Sequence, residues 1–592
     1  MRPTFLSSAL LCKLFLLISA SAKTIQVDWT IDYVQANPDG LFDRRVIGVN
    51  NQFPLPRLEG NFGDTIIVNA KNNLDKMTSL HAHGLSFNNN AFSDGAVSVN
   101  HCGIPPGKNH TYKLELNEEG TYWFHSHTIA DYADGLRTPL IVYPSKNVSE
   151  IQYDEDLVMS VSDWYHEEAN KLASTVASKE NPGGVEPPPN SGLINDIPNP
   201  KYKISPGKTY RLRIINFSTM GVFHVKLDRH DMKLVEIDGV TVQPMDVKSI
   251  ELSPSQRASV IFTAKENTSK NFYILADADP AYYDFVPDYL KLNVTIPLIY
   301  DDNSEYEKPE DHLWDTPNDF DIVPLDKVEY KEPDQTFVFV SDIKQLDDEA
   351  QHGLINGITY RPPKVPILMS MMTTGDNATN PAVYGPRSNA YVTGFNQTIR
   401  IVIDNRHFDP HPFHIHGHKF QVISVSEEKY SEKSKFEPKE NWNPARRDTL
   451  NVPGYGHAIL QFYSDNPGAW PIHCHNNWHM IFGMMGVIVE APLEAQKMYK
   501  FDPESYKEMC ALNGFLTSGN GAGREGLDLT GAVDTPSGIN YGIHAKGIIA
   551  LVFCIFLAIS GILSIVFYEK QLINKIEFEK ASLLDHTSSD SN

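Results

Sequence analysis

At 592 residues, with 41% hydrophobic and 10% aromatic side chains, the chain is long enough for several packed domains. Its formal net charge of -23 argues against a nucleic-acid partner and fits an acidic surface that attracts cations.

Residues 1–22 read as an export signal: Arg2 leads an apolar run from Leu10 to Ile18, and Ala20-Ser21-Ala22 offers small residues for cleavage. Residues 23–144 carry short alternating runs broken by Gly, Pro and Asn, such as Thr65-Ile66-Ile67-Val68-Asn69-Ala70, which predict strands of a β-sandwich. A second set follows over residues 145–300, including Thr209-Tyr210-Arg211-Leu212-Arg213-Ile214, and it holds no histidine pair. Residues 301–510 begin with a Pro- and acid-rich connection, and strands resume at Thr336-Phe337-Val338-Phe339-Val340. Residues 511–546, rich in Gly, Ser and Thr, predict a flexible stalk.

Residues 547–568 are uncharged and predominantly apolar for 22 residues, about 33 Å of helix, which predicts one transmembrane span. Lys570, Lys575 and Lys580 follow it where only Lys546 immediately precedes it, so residues 569–592 are expected in the cytosol and the body outside or in a lumen. Of five cysteines, Cys12 leaves with the signal, Cys554 lies in the span and Cys474 belongs to a metal motif; Cys102 and Cys510 remain as the natural disulfide of an exported chain. Acceptor sequons at Asn109, Asn147, Asn216, Asn267, Asn293, Asn377 and Asn396 are consistent with secretion.

The chemistry concentrates in four histidine pairs: His81-Ala82-His83, His125-Ser126-His127, His414-Ile415-His416 and His473-Cys474-His475. Side chains at i and i+2 of a strand share a face, so each pair can grip neighbouring metals. Cys474 points the opposite way from His473 and His475. Thiolate, imidazole and a weak axial thioether make a blue-copper site, whereas imidazoles alone suit copper that handles oxygen. One strand thus touches two copper sites, with the intervening peptide as an electron wire. In His411-Pro412-Phe413-His414-Ile415-His416-Gly417-His418 the proline is expected to bend the chain, so that His411 joins Cys474 and His479 while His414 and His416 face the cluster. His418 is read as structural.

These four motifs, in this order on three cupredoxin-like stretches, resemble the multicopper oxidases over roughly residues 24–510. The resemblance implies an all-β fold of three cupredoxin-like Greek-key β-sandwich domains, followed here by the single C-terminal transmembrane helix. It implies four copper ions. His411, Cys474 and His479 match the type 1 ligands, with Met484 in the axial position; His81 and His414 match the type 2 pair. His83, His125, His127, His416, His473 and His475 match the type 3 ligands, and Asp94 an acid that delivers protons for the four-electron reduction of O₂ to water.

The export signal and C-terminal anchor resemble the fungal iron-transport ferroxidases, which oxidise Fe(II) to Fe(III) beside an iron permease. Hard oxygen ligands favour Fe(III), and Glu186 and Asp284 fall where that family places two iron-binding acids. Three positions depart from the pattern. Four residues before His411, where the family has aspartate, stands His407, with Asp409 two residues closer; Met484 replaces a common leucine; Asn477 replaces a carboxylate. A thioether at 484 is expected to lower the blue-copper potential. The alternatives are an anchored laccase-like phenol oxidase or cuprous oxidase and, from another class, a copper-loaded escort for a permease. The expected residence is the cell membrane, type I, with the body extracellular. Glu579-Lys580-Ala581-Ser582-Leu583-Leu584 resembles an acidic dileucine signal that would route the chain to a vacuolar or endosomal membrane.

Overall fold

Alternating burial sets the layers of the fold. The strand Thr65–Asn72 buries Ile66, Val68, Ala70 and Asn72 and turns the intervening residues outward, as a strand with one face on a core must. The computed structural model describes residues 22–144, 151–310, 313–431, 434, 436, 438–439, 441–534 and 545–587. The expected export signal, apart from Ala22, and the Asn147 sequon lie outside them.

Three cupredoxin-like β-sandwiches follow one another. The first pairs two four-stranded sheets, one ordered Arg44–Val49, Thr24–Ala36, Thr65–Asn72, Asn109–Glu115, the other Leu58–Asn61, Arg137–Tyr143, Gly120–Ser126, Leu80–His83. The second and third each pair a six-stranded with a five-stranded sheet. In each the opening strand pairs in parallel with a later one, Thr24–Ala36 with Thr65–Asn72, Glu155–Trp164 with Thr209–Asn216, and Gln335–Gln345 with Thr398–Asn405. Such non-sequential pairing requires long crossovers between sheets.

One hydrophobic cluster runs from the first sandwich (Leu80, Tyr112, Phe124) into the third (Phe413, Trp470, Ile472, Met484). The second sandwich has its own core, into which Trp478 and Phe482 of the third insert. The first and third sandwiches thus meet through apolar surface, and the histidine motifs lie on the strands at that junction. Cys102 and Cys510 are bonded, closing a sequence separation of 408 residues.

Two expectations are corrected. Residues 514–534 are packed chain: Leu516 N–H donates to Lys364 O at 2.8 Å, Gly521 N–H to Val383 O at 2.7 Å, and Asn520 is fully buried. Small residues here allow close backbone packing, so composition alone mimicked a stalk. Asn216 is also buried, its amide donating to Gly221 O and Leu252 O at 2.8 Å, so this sequon is a structural turn residue.

A separate unit holds the helix Ala545–Thr587, with Ile548–Ser582 the one stretch among the described residues long and apolar enough to cross a membrane. The helix continues beyond the expected span into the segment read as a tail.

Candidate metal centre

Strand register brings the motifs together. His81 pairs with His125 across Leu80–His83 and Gly120–Ser126, and His414 pairs with His473 across His411–Ile415 and Gly468–Cys474. Gly95 closes the wall of this site: its φ is +84°, and a Cβ there would stand 1.9 Å from Leu80 O.

The eight paired histidines form one cluster. The His81 ring stacks on His416 at 4.0 Å between centroids and His83 on His414 at 3.7 Å. His416 Nε2 and His473 Nε2 are 3.3 Å apart, and the His475 ring lies 5.1 Å from that of His83. Donor nitrogens of His127, His416 and His473 converge, as do those of His81, His83 and His125, and of His81, His414 and His416.

Burial holds His83, His125, His127, His414, His416 and His475 well below the ordinary imidazole range, with neighbouring charges adding to the effect. His473 is pushed down to about 4, again by burial first. Neutral imidazoles are the form that ligates metal. The Nε2 atoms of His81, His125, His127 and His414 and Nδ1 of His83 are buried without a hydrogen-bond partner among the described residues. A buried polar atom without a partner costs about 1–3 kcal/mol. Several converging on one space fit a copper cluster.

A second site lies across the same strand. Cys474 Sγ is 3.7 Å from His411 Nδ1 and 3.5 Å from His479 Nδ1, and all three residues are buried. No bend at Pro412 is needed, since it pairs in register with Asn451 within the strand His411–Ile415. Odd-numbered His411 already faces away from His414 and His416 by alternation. Past Cys474 the strand gives way to the short helix Asn477–Ile481, capped by Asn476, whose Oδ1 accepts from Trp478 N–H at 3.0 Å. That turn carries His479 back onto the thiol. Met484 is fully buried, its backbone N–H donating to His479 O at 3.2 Å and its carbonyl accepting from Cys474 N–H at 3.2 Å.

Three acids gather beside His479. Glu186 Oε1 lies 2.9 Å from His479 Nε2 and accepts from Asn476 Nδ2 at 2.9 Å. Asp284 Oδ2 accepts from Glu186 N–H at 2.7 Å. Asp409 lines the same small cavity as Glu186, Asp284 and His479, together with Tyr282 and Met220. Burial pushes the Asp409 carboxyl up to about 6; His479 opposes the rise, and Glu186 and Asp284 add to it. His407 does not line this cavity, its ring lying 5.4 Å from that of His411, and burial pushes it down to about 3.

Asp94 is fully buried beside the histidine cluster. Its carbonyl lies 2.9 Å from His81 Nδ1, its Oδ2 3.0 Å from His416 Nδ1, and Asn100 Nδ2 donates to Oδ2 at 2.6 Å. His418 pairs with buried Glu490 at 2.8 Å and takes no part in the cluster. Both polar atoms of the Asn477 side chain are buried without partners among the described residues. Sequence reasoning missed Asp448 and Asn476. Neither carries a local signal, because their contacts, to His83 and to Glu186, are separated by 365 and 290 residues.

Models of the multicopper oxidase family match residues 30–147, 155–290 and 360–494. The iron transport multicopper oxidase fetC of Epichloe festucae is 39% identical over 93% of this chain and 90% of its own length. The iron transport multicopper oxidase fio1 of Schizosaccharomyces pombe is 37% identical over 92% and 89%. Among solved structures, Fet3p, a multicopper oxidase that functions in iron import, superposes with a TM-score of 0.84 at 32% identity, covering 87% of this chain and all of that one. The laccase of Botrytis aclada reaches 0.71 at 25% identity over 83% of this chain and 92% of its own. With the copper-fitting clusters in place and matching models over all three sandwiches, the chain belongs to the multicopper oxidase family.

Proposed function

We propose that this membrane-anchored chain is a ferroxidase that oxidises Fe(II) and reduces O₂ to water in support of iron transport. The observation that carries the reading is the convergence of Glu186, Asp284 and Asp409 beside His479. Carboxylate oxygens are hard ligands that favour Fe(III) over Fe(II), so they ease loss of the electron. In this reading Asp409 supplies the third acid from a position two residues nearer His411 than its relatives use, and His407, its Nδ1 3.5 Å from Asp409 Oδ2, stands behind that acid and not in the cavity.

In this reading His411, Cys474 and His479, with Met484, would hold the type 1 copper; His81 and His414 would hold the type 2 ion; His83, His125, His127, His416, His473 and His475 would hold the type 3 pair. Bound copper supplies single-electron acceptance at the thiolate and four-electron storage for the reduction of O₂. The chain supplies the route: Glu186 joins the iron site to His479 across 2.9 Å, and Cys474 is bonded directly to His473 and His475 on the other face. In this reading Asp94 carries protons to the oxygen-reducing cluster, a role supported by its hold on Asn100 and its approach to His416.

In this reading the partner is an iron permease in the same membrane; the relatives are named for iron transport, the process such a partner would complete. The lysines after the span support a cytosolic tail with the body outside or in a lumen, and in this reading the membrane is the cell membrane, with a vacuolar or endosomal membrane as the alternative. Kinetics with Fe(II) and a phenol test the substrate. With Asp284 and Asp409 both changed to Ala, the KM for Fe(II) should rise at least about tenfold, the effect of about 1.4 kcal/mol of lost binding, while the phenol is turned over as before. An unchanged Fe(II) KM rejects the iron site.

A further inference from the structure

The second sandwich gives no histidine to either cluster, yet one of its side chains reaches the larger one through an intermediary. Arg257, on the strand Arg257–Thr263, is fully buried. Its Nη1 and Nη2 donate to Asp448 Oδ1 and Oδ2 at 2.7 and 2.6 Å, and its Nε–H donates to Thr121 O of the first sandwich at 3.0 Å. Asp448 is itself fully buried, between the strand Arg446–Arg447 and the strand Thr449–Val452 of the third sandwich. One residue thus binds all three sandwiches where they meet the histidines.

Asp448 addresses two rings with two different atoms. Its Oδ1 lies 3.1 Å from His83 Nε2, and its backbone carbonyl lies 2.8 Å from His414 Nδ1. Thr449 Oγ1 stands 3.3 Å from those same two nitrogens. A carboxylate gripped by both arms of a guanidinium, like a carbonyl, only accepts hydrogen bonds. His83 must therefore carry its proton on Nε2 and His414 on Nδ1. The opposite nitrogens, His83 Nδ1 and His414 Nε2, are left as buried lone pairs without partners among the described residues. The two rings stack at 3.7 Å and 19°, so neighbouring histidines present different nitrogens to the same space.

We infer that Asp448, clamped by Arg257, is a positioning residue whose carboxylate fixes the tautomer of His83, beside the His414 tautomer set by its backbone carbonyl, and thereby makes copper loading of the cluster depend on the second sandwich. The inference rests on the reading of these two histidines as copper ligands. Removing such an outer partner weakens metal binding about 10–100-fold, and here the weakening should be confined to the cluster. The type 1 site, reached from the other face of the strand, shares no hydrogen bond or ion pair with Asp448 or Arg257 among the described residues.

The test uses the full-length copper-loaded protein carrying Asp448→Ala, and a second variant with Asp448→Leu and Arg257→Met. The double change removes the buried Arg257–Asp448 pair without leaving an unpaired guanidinium, and Asp238, 3.6 Å from Arg257 Nη1, keeps its ion pair with Arg447 at 3.3 Å; replacing a buried pair by apolar groups is in other proteins close to neutral for folding. Each is titrated with a copper chelator while the blue type 1 band and the near-ultraviolet band of the coupled type 3 pair are followed, and apo-protein melting is recorded. The expected result is loss of the type 3 band at about 10–100-fold lower chelator, with the blue band and the apo melting point of the double variant close to those of the parent. Unchanged resistance of the type 3 band overturns the inference. So does parallel loss of both bands with a lowered apo melting point in the double variant, which would make the residue merely structural. A His83→Ala control that keeps the type 3 band overturns the ligand reading itself, and the inference with it.

Discussion

Glu186 does two things that a single substitution can separate. With His479 Nδ1 turned to Cys474 Sγ at 3.5 Å, Nε2 carries the proton and donates to Glu186 Oε1 at 2.9 Å. Asn476 Nδ2 donates to the same oxygen at 2.9 Å. Glu186 is buried, so this is a charge-assisted hydrogen bond little weakened by solvent, contributing about 1.5–3 kcal/mol. Glu186→Ala removes it together with one of the proposed iron ligands. If that energy is expressed in electron entry from iron, kcat/KM for Fe(II) falls about 10- to 150-fold, at 1.36 kcal/mol per factor of ten. Glu186→Gln keeps an acceptor for His479 and Asn476 but loses the negative charge that the proposed iron site uses. It should therefore keep the blue spectrum of the parent and still raise the KM for Fe(II). The assay is steady-state oxygen consumption with Fe(II) and, in parallel, with a phenol. A loss of equal size for both donors, in both variants, would refute the reasoning, because it would mean that Glu186 serves only to hold His479 in place.

Other expectations follow from the same geometry. Met484→Leu should raise the type 1 reduction potential, since a thioether favours Cu(II), while leaving the blue site loaded; redox titration against the parent checks the direction. The buried Glu236 supplies a stability test. Burial alone would raise its pKa, but Arg211 and Arg213, with Ser259 and Thr121, hold it down to about 2. Its contribution is present above the unfolded carboxyl value near 4.5 and disappears as pH falls from there toward 2, amounting to about 3 kcal/mol. Glu236→Gln should therefore melt well below the parent at neutral pH, and the gap should close on acidification through that window.

The strand runs and the four histidine pairs were legible in the chain's own order of residues, whereas the three-sandwich fold and the assignment of copper types came from the resemblance to the multicopper oxidases. Alternation sends Cys474 one way and His473 and His475 the other, and this holds for any strand whatever surrounds it. The disulfide between Cys102 and Cys510 was equally legible, because the other cysteines had stronger claims elsewhere. The span of residues 547–568 needed only length and composition, and the helix Ala545–Thr587 contains it.

What tertiary structure alone decided concerns groups whose partners are remote in sequence. His407 and Asp409 differ by two positions, and only the loop geometry puts Asp409 into the cavity with Glu186 and Asp284 while His407 packs on His411. Gly, Ser and Thr in residues 514–534 satisfy a linker and a close-packed segment alike, and the hydrogen bonds to Lys364 and Val383 choose between them. The same limit hid Asp448. Local pattern encodes which face a side chain takes, because that depends on φ and ψ nearby. Which atom it meets there depends on how separately formed sheets dock, and that is fixed only when the three sandwiches close on one another.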